Sequence, residues 1–231
     1  MSSRNLAMIT ARGGSKRIPG KNRKEFCGKP ILFYSIEAAL ESGVFTEIMV
    51  STDDEKIAGL ALQAGAKVPF MRSAGSAGDY ATTDEVIWEV LREYEKRGES
   101  FDAFCCIYPT APFLTGGRLR EAMELLKEAD SVMPVVPFSY PPQRGLILDK
   151  RGYMVRKYPE YAAARSQDLE KIYHDCGQFY ACKTAAFLET GTTDVERLVP
   201  LYLTEMEVQD IDTPEDWELA ELKYKKLRMI K

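Results

Sequence analysis

Two stretches of this chain hold residue types whose spacing can do chemistry. The first runs Ala11-Arg12-Gly13-Gly14-Ser15-Lys16-Arg17-Ile18-Pro19-Gly20-Lys21-Asn22, directly behind the apolar run Leu6-Ala7-Met8-Ile9. A glycine-rich loop leaving a strand lets backbone N–H groups approach phosphate oxygens, and Gly13 and Gly14 can supply a positive φ where the turn requires one. Arg12, Lys16, Arg17 and Lys21 add positive charge, and an arginine can grip two phosphate oxygens at once. The loop has neither the G-x-x-x-x-G-K-[ST] spacing of an ATPase nor the G-x-G-x-x-G of a dinucleotide fold. It therefore reads as a polyphosphate site of another kind, against the competing reading of a strand-to-helix turn with solvated charges.

The second stretch is Val208-Gln209-Asp210-Ile211-Asp212. In an extended segment residues i and i+2 share a side, so Asp210 and Asp212 point together while Ile211 packs inward. Such a pair suits Mg²⁺, which takes one or two carboxylates and completes its shell with phosphate oxygens and water. Asp212 could instead belong to the cap of a helix starting behind Thr213. Cations, a metal and an aligned nucleophile are what phosphoryl or nucleotidyl transfer needs. The single histidine, His174, excludes sites built from several imidazoles, including the usual zinc sets; it reads as structural unless, with Asp175, it orients or deprotonates a group.

The elements that must position these residues follow from periodicity. Helical spacing is expected over residues 30–40, 83–96 and 115–127, and short apolar strands over 47–51, 65–70, 101–108, 131–136, 173–182 and 198–203. Thr52 with Glu55 is expected to cap a helix reaching about Ala64, and Thr213, Pro214 and Asp216 to open the last helix, which ends in a basic tail over residues 223–231. Alternating strands and helices argue for an α/β fold: a Rossmann-like, mostly parallel sheet with helices on both faces. Ligands gather at the carboxyl ends of such strands, so the loops at 11–22, 72–83, 108–113 and 137–144 should meet there. The rhythm breaks over residues 137–171, rich in proline and tyrosine, with a hairpin expected around 149–152. We read this stretch as a protruding arm that covers the site, contacts a second subunit, or both.

Composition bounds the rest. With 231 residues, 45% of them hydrophobic and 29% charged, the chain suits a single domain over residues 1–231. A net charge of −4 disfavours nucleic acid as a partner and makes the cationic loop a local exception. Nothing reads as a membrane span or a signal peptide, and five cysteines without a C-x-x-C pair fit reduced thiols, so a cytoplasmic location is expected.

Several ordered stretches together resemble the CMP-sialic acid synthetase type of cytidylyltransferase. They are residues 11–22; Ser51-Thr52-Asp53 with Ile57-Ala58; Arg72-Ser73 leading to Asp79 and Thr82-Thr83; Pro109-Thr110-Ala111-Pro112; and Asp210-Ile211-Asp212. The resemblance implies a nucleotide-diphospho-sugar transferase fold and a CTP-dependent enzyme. It would transfer CMP to the anomeric hydroxyl of a nine-carbon 2-keto sugar acid and release pyrophosphate, with Mg²⁺ as cofactor and a homodimer built through the arm. It further implies that Ala11, Arg12, Gly13, Gly14, Ser15, Lys21, Asn22, Arg72 and Thr83 bind the nucleotide, Asn22 and Arg72 reading cytosine. Arg12, Lys21 and Asp212 would be catalytic, and Asp210 and Asp212 would carry the metal. Tyr108, Thr110, Gln143, Arg144, Arg165, Gln178 and Tyr180 would face the sugar. Within the resemblance, residues 105–113, 165–168, 173–175 and 177–180 point to pseudaminate as acceptor, and Tyr108, where sialate enzymes of the family carry Gln, argues against N-acetylneuraminate; the alternatives are legionaminate, N-acetylneuraminate or octulosonate, or a non-catalytic nucleotide-binding protein.

Overall fold

Buried apolar runs line up into a seven-stranded sheet that carries the cleft at one edge of its strands. The structure, a computed structural model, describes residues 3–78 and 81–229. Asp79 of the third motif and the last two residues of the basic tail lie outside it. In chain order the elements begin with β1 (Asn5–Thr10), a tight turn at Lys21–Arg23, a small hairpin of β2 (Glu25–Phe26) and β3 (Lys29–Pro30), and α1 (Ile31–Ser42). They continue with β4 (Glu47–Ser51), α2 (Glu55–Gln63), α3 (Thr83–Glu95), β5 (Ala103–Ile107), α4 (Gly116–Leu125) and β6 (Ser131–Pro137). After the arm, which holds β7 (Leu146–Leu148) and β8 (Met154–Arg156), come β9 (Tyr173–Asp175), β10 (Phe179–Lys183), α5 (Thr184–Thr190), β11 (Leu198–Tyr202) and α6 (Pro214–Met229).

The strand order is β11-β6-β10-β5-β1-β4, with β9 added beside β6. Strands β4, β1, β5, β6 and β11 run one way; β10 and β9 run against them. The sheet is thus mostly parallel, as expected. Alternation along β1 and β5 sorts the core into two layers. Ala7, Ile9, Ala103, Cys105 and Ile107 face α1, α2 and α4, whereas Leu6, Met8, Phe104 and Cys106 face α3 and α5. A third cluster joins Ile18, Phe26 and Ile31 to Ile211 and to Trp217 of α6, so the last helix braces the phosphate loop. Cys105 and Cys106 are buried filler, and burial pushes the Cys106 thiol up to about 12.

Three expectations need correction. The strand over 65–70 reduces to one bridge between Met49 and Lys67, because Gly65 turns at φ +92° and Pro69 has no N–H for a ladder. The strand over 173–182 is two strands, broken where Gly177 takes φ +60°. The cap of α2 is Asp54, not Thr52. Its carboxylate accepts from the N–H groups of Lys56 (2.7 Å) and Ile57 (3.2 Å), while the Thr52 hydroxyl accepts from the Asp54 N–H. The hairpin expected around 149–152 is present, formed by β7 and β8 with short turns on either side, and β6 pairs with β9 across the ends of that stretch.

Candidate active site

A cleft of about 550 Å³ opens over the carboxyl ends of β1, β4 and β5. Three of the four loops expected there supply its walls; the stretch 137–144 does not line it. Arg12, Lys16, Arg17, Lys21 and Arg72 bring positive charge to the lining and Asp212 the opposing carboxylate. In so small a volume those charges favour a polyanionic guest.

The loop is shaped by partners distant in sequence. The Gly13 N–H donates to Asp53 Oδ1 at 2.8 Å, and the Ala11 N–H to the Ser51 carbonyl at 2.9 Å. A Cβ on Gly13 would lie 2.9 Å from Asp54 Cβ, whereas Gly14 has open space. Neither glycine takes a positive φ. The left-handed residue is Gly20 at φ +65°, which opens the turn presenting Lys21. Gly13 therefore serves close packing and spends its amide on the protein, while Gly14 and Ser15 line the cleft. Buried Asn22 donates its amide N–H to the Arg12 carbonyl at 2.8 Å, so it braces the loop from beneath while lining the cleft.

Arg72 forms the buried floor. Its Nε donates to Ser51 Oγ at 3.0 Å and its Nη2 to the Ser51 carbonyl at 2.8 Å. Burial draws its pKa below the usual arginine value, and the nearby Asp53 charge opposes that fall. Thr83 enters the cleft from the first turn of α3. Thr82 caps that helix with a full capping box: its hydroxyl accepts from the Glu85 N–H (3.2 Å), and Glu85 Oε2 accepts from the Thr82 N–H (2.8 Å). Thr82 and Glu85 form a T-x-x-E signal one residue ahead of the start expected at 83.

The carboxylate stretch reaches the cleft at Asp212, beside the cationic loop. Ile211 is buried in the third cluster, as the i, i+2 argument requires. Lys21 Nζ donates to the Ile211 carbonyl at 2.7 Å and lies 3.4 Å from Asp212 Oδ1, while Arg17 Nη2 lies 2.8 Å from Asp212 Oδ2. Asp210 opens to solvent; the protein packed behind it and the Asp212 carboxylate beside it raise its pKa. Asp212 takes part in the cap of the last helix, as one of its two readings had it. Its backbone N–H donates to the Asp216 carboxylate at the head of α6, while its side chain lines the cleft.

Of the residues expected to face the sugar, Tyr108 and Thr110 line the cleft, with the Tyr108 hydroxyl 2.9 Å from Thr83 Oγ1. Tyr180 stands behind Tyr108, ring edge to face at 5.7 Å, and Gln178 is buried beneath, donating to the Glu207 carbonyl at 2.6 Å. The other three sit on the arm, away from this cleft. Gln143 is buried and donates to the Glu170 carbonyl, with its Oε1 unpartnered; Arg144 donates to Ser166 Oγ; Arg165 pairs with Asp168 at 2.7 Å.

A family model described as cytidylyltransferase matches residues 6–211, nearly the whole span from β1 to the carboxylate stretch. The chain belongs to the cytidylyltransferase family. The membership makes it a nucleotidyltransferase. It is 39% identical to the pseudaminic acid cytidylyltransferase of Campylobacter jejuni, over 96% of this chain and 97% of that one. It is 38% identical to the CMP-N,N'-diacetyllegionaminic acid synthase of Legionella pneumophila, over 94% of each. Among solved structures it shares its fold with a CMP:2-keto-3-deoxy-manno-octonic acid synthetase complexed with CTP, at a TM-score of 0.71 and 18% identity over 97% of this chain and 99% of that one. In this cytidylyltransferase the cationic loop lines the cleft together with Asp212, which Arg17 and Lys21 hold beside it.

Proposed function

We propose that this cytidylyltransferase transfers CMP from CTP to the anomeric hydroxyl of a nine-carbon 2-keto sugar acid, pseudaminic acid first, with release of pyrophosphate. The observation that carries the reading is the Lys21 bridge, which joins the cationic loop to the Ile211-Asp212 backbone and so sets phosphate-binding groups against carboxylates. The Campylobacter relative, similar over the full length, supplies the choice of acceptor.

In this reading Arg12, Ser15 and Lys21 hold the triphosphate, and Arg12 and Lys21 neutralise charge on the departing pyrophosphate. Arg72, a buried cation whose Ser51 partners are uncharged, offers its remaining N–H groups to a carbonyl acceptor, as cytosine recognition requires. Asn22 supports that side of the pocket, and Thr83 meets the ribose or α-phosphate. Tyr108 and Thr110 mark the acceptor side. The arm residues Gln143, Arg144 and Arg165 would join it only through another copy of the chain, which fits a homodimer. A cytoplasmic location fits the reduced thiols.

Asp210 and Asp212 fit Mg²⁺ by the chemistry of their donors, two carboxylates one residue apart, which a dication completes with phosphate oxygens and water. When bound, Mg²⁺ would neutralise phosphate charge and orient the α-phosphorus for attack.

The test is pyrophosphate release with CTP, Mg²⁺ and a panel of pseudaminate, legionaminate, neuraminate and octulosonate. Turnover confined to pseudaminate, and lost in Asp212→Asn, is the expected result. Preference for legionaminate would move the acceptor reading to the Legionella relative's sugar. Silence with every acceptor would end the sugar-acid reading.

A further inference from the structure

We infer that Asp175 is a positioning residue for the acceptor side of the cleft, acting through Tyr180 on Tyr108; the inference rests on the sugar-acid reading above. Asp175 ends β9, and its carboxylate is held at both oxygens. The Gly177 N–H donates to Oδ1 at 2.8 Å, and the Tyr180 hydroxyl donates to Oδ2. The positive φ of Gly177 folds the chain back so that β10 begins two residues later and returns Tyr180 to the carboxylate.

From Tyr180 the chain of contacts leads to the cleft. Tyr180 lies opposite Cys106 in the β10–β5 ladder, next to Tyr108, and the two rings meet edge to face at 5.7 Å. The backbone of Tyr108 is clamped on both sides, its N–H donating to the Gln178 carbonyl and its carbonyl accepting from Ser35 Oγ, each at 2.8 Å. Its hydroxyl meets Thr83, which stands at the mouth of α3 on the nucleotide side. Tyr108 lines the cleft; Tyr180 and Asp175 do not.

Hydrogen-bond direction explains the need for the carboxylate. An ionised carboxylate only accepts, so the single phenolic proton of Tyr180 is committed to Asp175 and its oxygen offers lone pairs alone. The ring of Tyr180 is thereby fixed in rotation, and so is the edge against which Tyr108 rests. The backbone amide of Gly177 thus sets, through two side chains, the attitude of the aromatic wall between nucleotide and acceptor.

The experiment compares wild type with Asp175→Ala, Asp175→Asn, Tyr180→Phe and the Asp175→Ala/Tyr180→Phe double variant. CTP binding is followed by titration calorimetry and pyrophosphate release against varied pseudaminate. Loss of one orienting hydrogen bond is expected to raise the acceptor KM about tenfold in each of Asp175→Ala and Tyr180→Phe, with the CTP Kd unchanged within about twofold. The double variant should be no worse than either single one, because both break the same link. Asp175→Asn keeps an acceptor oxygen and should recover most of the loss. Additive losses, a parallel loss of CTP affinity, or Asp175→Asn as damaging as Asp175→Ala would overturn the inference. A readout without acceptor separates it from the substrate reading. In protein labelled with 3-fluorotyrosine, the Tyr108 resonance, assigned with Tyr108→Phe, should shift alike in Asp175→Ala and Tyr180→Phe. An unmoved resonance would refute the coupling even if the sugar is right, and a moved one would uphold it even if every acceptor fails.

Discussion

Gly13 and Gly14 are neighbours of one type with different duties. At Gly13 the main chain passes so close to the head of α2 that a methyl group would collide with Asp54, while at Gly14 it would meet nothing. Gly13→Ala is therefore expected to cost about 1–3 kcal/mol in urea unfolding and to weaken CTP binding, and Gly14→Ala to unfold like wild type. Equal midpoints for the two variants would show that the Asp53-Asp54 turn gives way freely. Arg72→Lys tests the floor in the same spirit. A lysine cannot hold Ser51 Oγ and the Ser51 carbonyl with one planar fork, so CTP affinity should fall about tenfold by calorimetry while positive charge is retained. At this scale the sequence shows residue type well and duty poorly. The glycine pair and its cations announce a phosphate loop, but the duty of Gly13 is decided by Asp53 and Asp54, some 40 positions later.

Among the elements, α6 has the most direct bearing on the site, because its first turn holds the carboxylate stretch. Asp216 Oδ2 accepts from the Thr213 N–H at 2.8 Å and the Asp212 N–H at 3.1 Å, and Thr213 Oγ1 accepts in return from the Asp216 N–H. Hydrogen bonds from the Thr213 hydroxyl and backbone, chiefly, hold the Asp216 carboxyl below its ordinary pKa. A carboxylate whose pKa falls on folding adds stability above its unfolded pKa and loses it as pH falls through the folded one. Asp216→Ala should accordingly lower stability by about 1 kcal/mol at neutral pH, with the difference from wild type shrinking as the solution is acidified. Thermal unfolding across pH measures this, and a constant difference would show that the carboxylate's charge has no part in the cap. This capping box was legible because its parts lie within four residues. The splitting of 173–182 and the loss of the strand at 65–70 were not, because Gly177 in the first and Gly65 with Pro69 in the second decided against an apolar run that suited a longer strand.

Over the whole molecule, the hairpin of the arm exposes apolar side chains on both of its sides, Leu146, Leu148 and Met154 on one and Ile147 and Val155 on the other. Leu146, Ile147 and Leu148 on β7 and Met154 and Val155 on β8 are all exposed, Leu148 by 67%. The homodimer proposed above would bury such side chains, and it should dissociate when they are charged. Light scattering is expected to find a dimer for wild type and a monomer for Leu148→Asp; a wild-type monomer at micromolar concentration would dismiss this use of the arm. The layers and the direction of most strands were legible from periodicity, whereas the placement of Arg144 and Arg165 outside the cleft lining was not, since motif order does not fix where an irregular stretch lies against the sheet. The bond from Lys21 to the Ile211 carbonyl spans 190 positions, and it has a consequence in the order of synthesis. A ribosome delivers the phosphate loop early and its counterpart late. The loop is emerged and charged while most of the sheet is unmade, yet it cannot be braced until Ile211 and Trp217 have left the exit tunnel. Nascent chains halted before that point should ignore CTP, and competence should arrive in a single late step.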